Sequence, residues 1–321
     1  MMQSTSVHVR EEPASPHGPD LGLVAHRGSS VVGSASLWHR STALHRGEST
    51  AFLGSIDARD AESLSALIET AAAFARATGI RTLLGPIDGS TWRTYRTVVA
   101  SNGSPPFRME PNTPAWWPDA FALAGCAPCL ESRSEVDTAP PAGHEVVAIA
   151  ELDAARARDG IVVHTIDRVA KDVALAALHA LSMVGFVDNP LFTPLDRSSF
   201  DAAYAPLLDR VPPSLALFAF EGDAIDAAHA VGFMFGFLEP NWPSQGGPPA
   251  IVLKTIAVRP EFRGLRLGRL LLERCRIAGW ALGARSSIYA LMHDENRSAR
   301  MTAPTARVLR RYALHARGCA P

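Results

Sequence analysis

Lysine is almost missing from this 321-residue chain: it occurs only at Lys171 and Lys254, and arginine carries the positive charge. That bias reads as a coding preference and says nothing of function. A strong net charge is missing too. The balance is −1, which excludes a protein that coats nucleic acid through a generally basic surface but leaves a local basic site open. Long apolar runs are absent, so no segment reads as a bilayer span. The first twenty residues hold Arg10, Glu11, Glu12 and several prolines and lack the apolar stretch of a leader, so residues 1–19 are expected to be a disordered tail. The expectation is a soluble cytoplasmic protein with no membrane partner. Cysteine is too scarce for a disulfide framework. Of the four, Cys126 and Cys129 form one Cys-Ala-Pro-Cys pair with no second pair or nearby histidines, so they read as core thiols and no metal is expected.

What is present is apolar material: 47% hydrophobic against 20% charged residues, the balance of a packed globular chain of one large or two medium domains. The stretch Thr138-Ala-Pro-Pro-Ala-Gly143 reads as a linker near the middle. Before it, Leu21–Trp38 reads as a hairpin turning at Arg27–Ser30 and Ala51–Ile56 as a strand. Ala61–Thr78 reads as a helix with Leu64, Leu67, Ile68, Ala71 and Ala75 on one face, stopped by Gly79, and Ile80–Leu84 as a further strand. After the linker, Glu145–Arg158 reads as a connecting helix, Ile161–Ile166 as a strand, Val169–Gly185 and Phe200–Leu208 as helices, and Ser214–Phe220 and Ala230–Phe237 as paired strands. Val308–Leu314 is expected to close the sheet.

Residues 253–298 are the most informative block. They read strand, basic glycine loop, amphipathic helix, Gly283, strand, then His293-Asp-Glu-Asn-Arg-Ser298. A helix start offers unpaired backbone N–H groups and a positive dipole end, and Arg263, Arg266 and Arg269 add charge suited to a diphosphate. An earlier stretch, Phe52–Ser90, repeats the order strand, turn, helix, glycine, strand, but Asp60 and Glu62 stand where the second copy is basic and would repel a diphosphate.

The block resembles motif A of the GNAT N-acetyltransferase superfamily, R/Q-x-x-G-x-G/A after a strand ending in a V-x-P-like turn. Val258-Arg-Pro260 is that turn, Arg263 the first position and Gly268 the last, while Arg266 replaces the middle glycine. The chain also looks like a bacterial tandem-GNAT group through Leu84–Trp92, Tyr95-Arg96, Glu110-Pro-Asn112, Asp188-Asn-Pro190, Phe192-Thr-Pro194 and Arg311–Leu314. The resemblance implies an α+β (mixed α/β) fold of two tandem GNAT-like domains, each a mixed, mostly antiparallel sheet flanked by helices. Residues 20–145 would form a degenerate N-terminal domain, 146–159 the connecting helix, and 160–321 the domain with the acyl-donor loop.

The resemblance further implies acetyl-CoA or another acyl-CoA as co-substrate, its pantetheine arm held by the strand at Ile256, Ala257 and Val258. Its diphosphate would sit on Arg263, Gly264, Leu265, Arg266, Leu267, Gly268 and Arg269, with Asn296 touching the arm or, alternatively, forming an Asx turn. Amine acylation needs a route for a proton. His293, at the end of a strand beside the expected cleft, is the first candidate base because histidine titrates near neutrality, and Glu239 is the second; each has the alternative of a solvated loop residue. No tyrosine lies between Asn296 and Arg311, so Tyr312 is either a core residue or a displaced acid. Asp188, Asn189 and Phe192, in a loop stiffened by two prolines, would frame a small amine or amino-acid-like acceptor. A donor of aminoacyl-tRNA, met by the arginine cluster, and a non-catalytic acyl-CoA sensor are the competing readings. The acceptor's identity and the oligomeric state are not legible.

Overall fold

The computed structural model describes residues 6–13 and 18–319. The chain opens with β1 (Val7–Pro13), β2 (Leu21–Arg27), β3 (Ser30–Trp38) and β4 (Thr50–Ala58), then α1 (Ala61–Ala77), β5 (Thr82–Gly85), β6 (Thr97–Ser101), α2 (Trp117–Leu123) and β7 (Ala127–Asp137). It continues with α3 (Gly143–Arg158), β8 (Ile161–Thr165), α4 (Lys171–Gly185), α5 (Arg197–Leu208), β9 (Ala216–Glu221), β10 (Ala230–Glu239) and β11 (Ala250–Val258). A 3₁₀ turn at Pro260–Leu265 leads into α6 (Leu267–Ala281), followed by β12 (Ser286–His293), a 3₁₀ turn at Arg297–Arg300 and β13 (Arg307–Gly318). The fold is mixed α/β. The tail expectation is corrected in part: Val7–Pro13 pairs with β2 as an edge strand, while residues 1–5 and 14–17 lie outside the described residues.

The repeat has a physical counterpart. β4, α1 and β5 form a parallel strand–helix–strand unit, and so do β11, α6 and β12. In each, the amphipathic helix buries its apolar stripe on the sheet: Leu64, Leu67, Ile68 and Ala71 of α1 in one core, Leu267, Leu270, Leu271 and Cys275 of α6 in another. Gly79 and Gly283, both at positive φ, turn the chain from helix to second strand.

The two halves share one sheet, ordered β1-β2-β3-β4-β5-β13-β7-β12-β11-β10-β9-β8. Instead of closing the sheet, β13 lies in its middle, between β5 of the first half and β7, while β7 crosses to pair with β12 of the second half. Each half therefore lends the other a strand, and sheet bonding runs straight across the stretch 138–143. The crossing is a polar seam. Glu110, whose carboxylate is fully buried, receives Arg310 and the Tyr312 hydroxyl, and Tyr312 also meets Ser134 Oγ at 3.0 Å. Cys126 belongs to the first-half core and Cys129 lies at the edge of a different cluster. Burial pushes their thiols up to about 12 and about 11.

Candidate active site

β11 carries the site, and its register explains how. Parallel pairing with β12 runs from Ala250↔Ser286 to Leu253↔Tyr289 and stops there, so the two strands splay apart beyond that point. On its other edge β11 stays paired with β10 to Val258↔Gly232, after a bulge that leaves Lys254 without an opposite residue. Arg259 N donates to Val231 O at 2.9 Å, and an antiparallel ladder bonds alternate residues across. Ala257 and Thr255 therefore bond towards β10. The N–H and C=O groups of Ile256 and Val258 point into the gap, where no strand meets them. Arg263 Nε, donating to Val258 O at 3.4 Å, reaches the gap side as this parity requires.

The basic loop sits at the end of this gap. Arg266 is the N-cap of α6 and supplies no side-chain cap, so the first helical N–H groups remain available. Its φ of 58° places it in the left-handed region, which accounts for the glycine common at that motif position. A Cβ added at Gly268 would sit in ordinary contact with Met301 Sδ at 3.7 Å, Val258 Cγ2 at 3.8 Å and Ile256 Cδ1 at 3.9 Å, so the position accepts a β-carbon without displacing a neighbour. Of the arginines, Arg259 donates to Ala228 O at 2.8 Å and Arg269 to Met301 O at 3.2 Å, and Arg269 also pairs with Glu273. Arg266 is exposed and makes no side-chain bond among the described residues. Leu265 O accepts from Arg156 of α3, which braces the loop, while Gly264 and Leu267 complete the turn into the helix.

The first half has closed the equivalent places. Asp60 caps α1, accepting from Ser63 N at 2.9 Å, and Arg27 pairs with Asp60 and Glu62. Beyond Phe52↔Leu84 the chain itself fills the gap: Ile87 N donates to Leu53 O at 2.8 Å and Asp88 accepts from Ser55 N. A Cβ on Gly54 would lie 2.1 Å from Ile87 O, so the segment is pressed onto the strand.

Other expected residues fall in different places. His293 ends β12 beside the gap. Its Nε2 is buried without a partner among the described residues, and its pKa is lowered by burial and then by Arg96, against the pull of Glu295 and Asp294. Asn296 starts the Arg297–Arg300 turn, its N–H bonded to His293 O and its side chain without a bond among the described residues. Glu239 is not brought to the gap. It pairs with Ala250, roughly 25 Å along the strand from Val258, and its carboxylate is held by Arg108. Tyr312 is sealed in the seam, where burial and Glu110 drive its pKa far up, so the structure places it as a core residue and not as an acid at the cleft.

The loop after α4 is held by the first half. Trp92 donates to Thr193 O at 2.8 Å, and its ring meets Phe186, Phe192, Phe200 and Tyr204. Phe192 is thus part of an aromatic wall, Asp188 is exposed, and Asn189 braces the turn through Phe192 N. Between α4, α5 and β10–β11, an apolar pocket is lined by Leu178, Phe186, Tyr204, Phe233, Phe235 and Thr255.

Sequence reasoning missed two residues here, Lys254 and Arg96. Lys254 is the unpaired residue of the β11 bulge and makes no side-chain bond among the described residues. Burial, then Arg96, pushes its ammonium down to about 8. Arg96 is 7% exposed, stacks on Tyr95 and donates from Nη1 to Leu291 O at 3.3 Å. Burial lowers it to about 9. The available signal was a lone lysine inside an apolar strand.

Residues 182–302 match the Acetyltransferase (GNAT) family. No curated protein matches the chain. Among solved structures, a glucosamine N-acetyltransferase region of a fungal multi-domain GH3 β-N-acetylglucosaminidase is similar, with 13% identity and TM-score 0.52 over 92% of this chain and 33% of that one. A GCN5-related N-acetyltransferase from Sphaerobacter thermophilus gives 13%, TM-score 0.48, and 94% and 81% coverage. A tandem GNAT protein from the clavulanic acid biosynthesis pathway gives 16%, 0.48, and 98% and 84%. Likeness at this identity concerns the fold alone.

Proposed function

We propose that the chain is an acyl-CoA-dependent N-acyltransferase, with acetyl-CoA as the default donor, acting on a small amine by direct transfer in a ternary complex. The observation that carries this reading is the splayed β11–β12 gap ending at an uncapped helix start. The gap offers the backbone groups of Ile256 and Val258 to an extended arm, and the helix start offers N–H groups and Arg266 to a diphosphate. A gap-side N–H polarises the thioester carbonyl and stabilises the oxyanion that forms when the amine attacks. The C–N bond forms, the C–S bond breaks, and the amine proton passes through His293 or a water beside it towards the leaving thiolate. A neutral imidazole suits that role, and the lowered pKa of His293 keeps it neutral at pH 7.

An aminoacyl-tRNA donor gains nothing from the arginines, since Arg259, Arg263 and Arg269 are engaged with backbone carbonyls and only Arg266 is free among the described residues. The test is calorimetric titration of CoA into wild type and Gly268→Glu. A glutamate in the first turn favours the helix dipole and its Cβ meets only ordinary van der Waals contacts, at 3.7 Å and beyond, so the variant is expected to fold, while its charge repels the diphosphate. Wild type is expected to bind and the variant to lose binding at least tenfold. Equal affinities, or no binding by wild type, would refute the reading.

A further inference from the structure

We infer that Lys254 and Arg96 form a carboxylate-binding subsite at the closed end of the gap, so that one of the two substrates carries a carboxylate next to the reacting centre. The inference rests on the acyltransferase reading above.

The geometry is that of a bracket. Pairing between β11 and β12 ends at Leu253↔Tyr289. Lys254 is the next residue on β11, and Leu291, two residues further on β12, holds Arg96 through its carbonyl. One cation therefore stands on each side of the opening. The bulge at Lys254 puts its side chain on the same face as Thr255, the face lined by α4 and the apolar pocket. The diphosphate loop is far off, beyond Val258 and on the α6 side, so these cations are not part of it.

The charges are uncompensated. No carboxylate contacts Lys254 or Arg96 among the described residues. Of the acids at the seam and the end of β12, Glu110 is held by Arg310 and Tyr312 and Asp294 and Glu135 by Arg133, while Glu295 is exposed to solvent. Two like charges drawn together out of bulk water are costly unless an anion joins them. Neither head group is sealed, since neither Lys254 Nζ nor the free guanidinium N–H groups of Arg96 are among the fully enclosed unpartnered atoms. The backbone is strained at the same spot: Arg96 has φ 85° and Leu291 φ 55°, two non-glycine residues in the left-handed region meeting at one hydrogen bond. Such strain persists where the surroundings hold a group in a required place. A planar guanidinium and an ammonium across a gap suit a carboxylate. The first half thereby supplies a substrate-binding residue to the second.

The carboxylate could come from the acceptor, as in an amino acid, or from the acyl group, as in a dicarboxylic mono-CoA thioester. The experiment has one arm for each. Acetyl-CoA is offered with free amino acids and with the amines that differ only by lacking the carboxylate. Uncharged amines are then offered with acetyl-CoA and succinyl-CoA. We expect the carboxylate-bearing partner in one arm to be preferred by roughly 30-fold or more in kcat/KM, and Lys254→Met and Arg96→Met to erase the preference mainly through KM. Absence of preference in both arms, in protein that binds CoA by calorimetry, would overturn the subsite. So would Met variants that lose kcat equally for every pair, which would make Lys254 the proton carrier instead. Failure to bind CoA at all would fall on the acyltransferase reading and is read separately.

Discussion

Replacing Arg266 by glycine and by alanine separates two roles that the wild-type residue combines. Arg266 is the N-cap of α6 at φ 58° and ψ 19°, its side chain exposed and without a bond among the described residues. A side-chain-bearing residue in the left-handed region costs about 1–2 kcal/mol. Glycine removes that cost but raises the entropy of the unfolded chain by roughly 0.5–1 kcal/mol. Arg266→Gly is therefore expected to exceed Arg266→Ala in stability by roughly 0.5–1 kcal/mol, a Tm difference of about 1–2 °C for a chain this long. The lost guanidinium is common to both. An exposed charge contact contributes little, so both variants should bind CoA roughly two- to fivefold more weakly than wild type and to a similar extent. Differential scanning calorimetry and CoA titration on the three proteins make the comparison. An alanine variant as stable as the glycine variant would show that the backbone there is not left-handed in solution. Unchanged CoA affinity in both would remove Arg266 from the donor site.

Glu110→Ala should destabilise the protein by about 3–5 kcal/mol in urea unfolding, because it strands the buried Arg310 and the Tyr312 hydroxyl at the strand-exchange seam; a loss below 1 kcal/mol would mean that the pair is not buried as described. His315 is 2% exposed, bonded to Thr97 at 2.8 Å, and pushed by burial down to about 4. The fold thus favours the neutral ring, so its contribution is complete above about pH 6.5 and is lost as pH falls towards 4. His315→Gln should remove up to roughly 3 kcal/mol of acid sensitivity between pH 7 and 4, and equal acid sensitivity in the two proteins would contradict the assignment. Trp92→Ala should loosen the loop at Asp188–Thr193, seen as faster amide exchange there and a raised acceptor KM, while CoA affinity stays within about twofold; slow, unchanged exchange would show that the loop is held by its own prolines.

The elements around the proposed donor site were legible because their signals are local. Helix α6, its stop at Gly283, the strand before it and the charge of the loop all follow from periodicity and residue type within forty residues. The strand–helix–strand repeat was legible for the same reason, and so was the acidic start of the first helix at Asp60. What the sequence by itself determined is thus the order of the elements and the chemical character of each helix start.

The tertiary structure decided which strands meet. β7 reads as a polar segment, Glu131-Ser-Arg-Ser-Glu-Val-Asp137, because its buried residues are Ser132, Ser134, Glu135 and Asp137; Ser134 meets Leu291 N and Tyr312, and Asp137 meets Thr305 and Arg276, partners far away in sequence. No apolar alternation announces such a strand. Its exchange with β13 seals Tyr312 at the seam, and the register of β10 and β11 carries Glu239 away from the gap. The bulge at Lys254 likewise depends on the register between β10 and β11, and the crossing of Arg96 on a bond to Leu291, 195 positions away. Local sequence specifies what each segment prefers to be. Long-range register, fixed by the packing of the whole sheet, decides which side chains share a cleft.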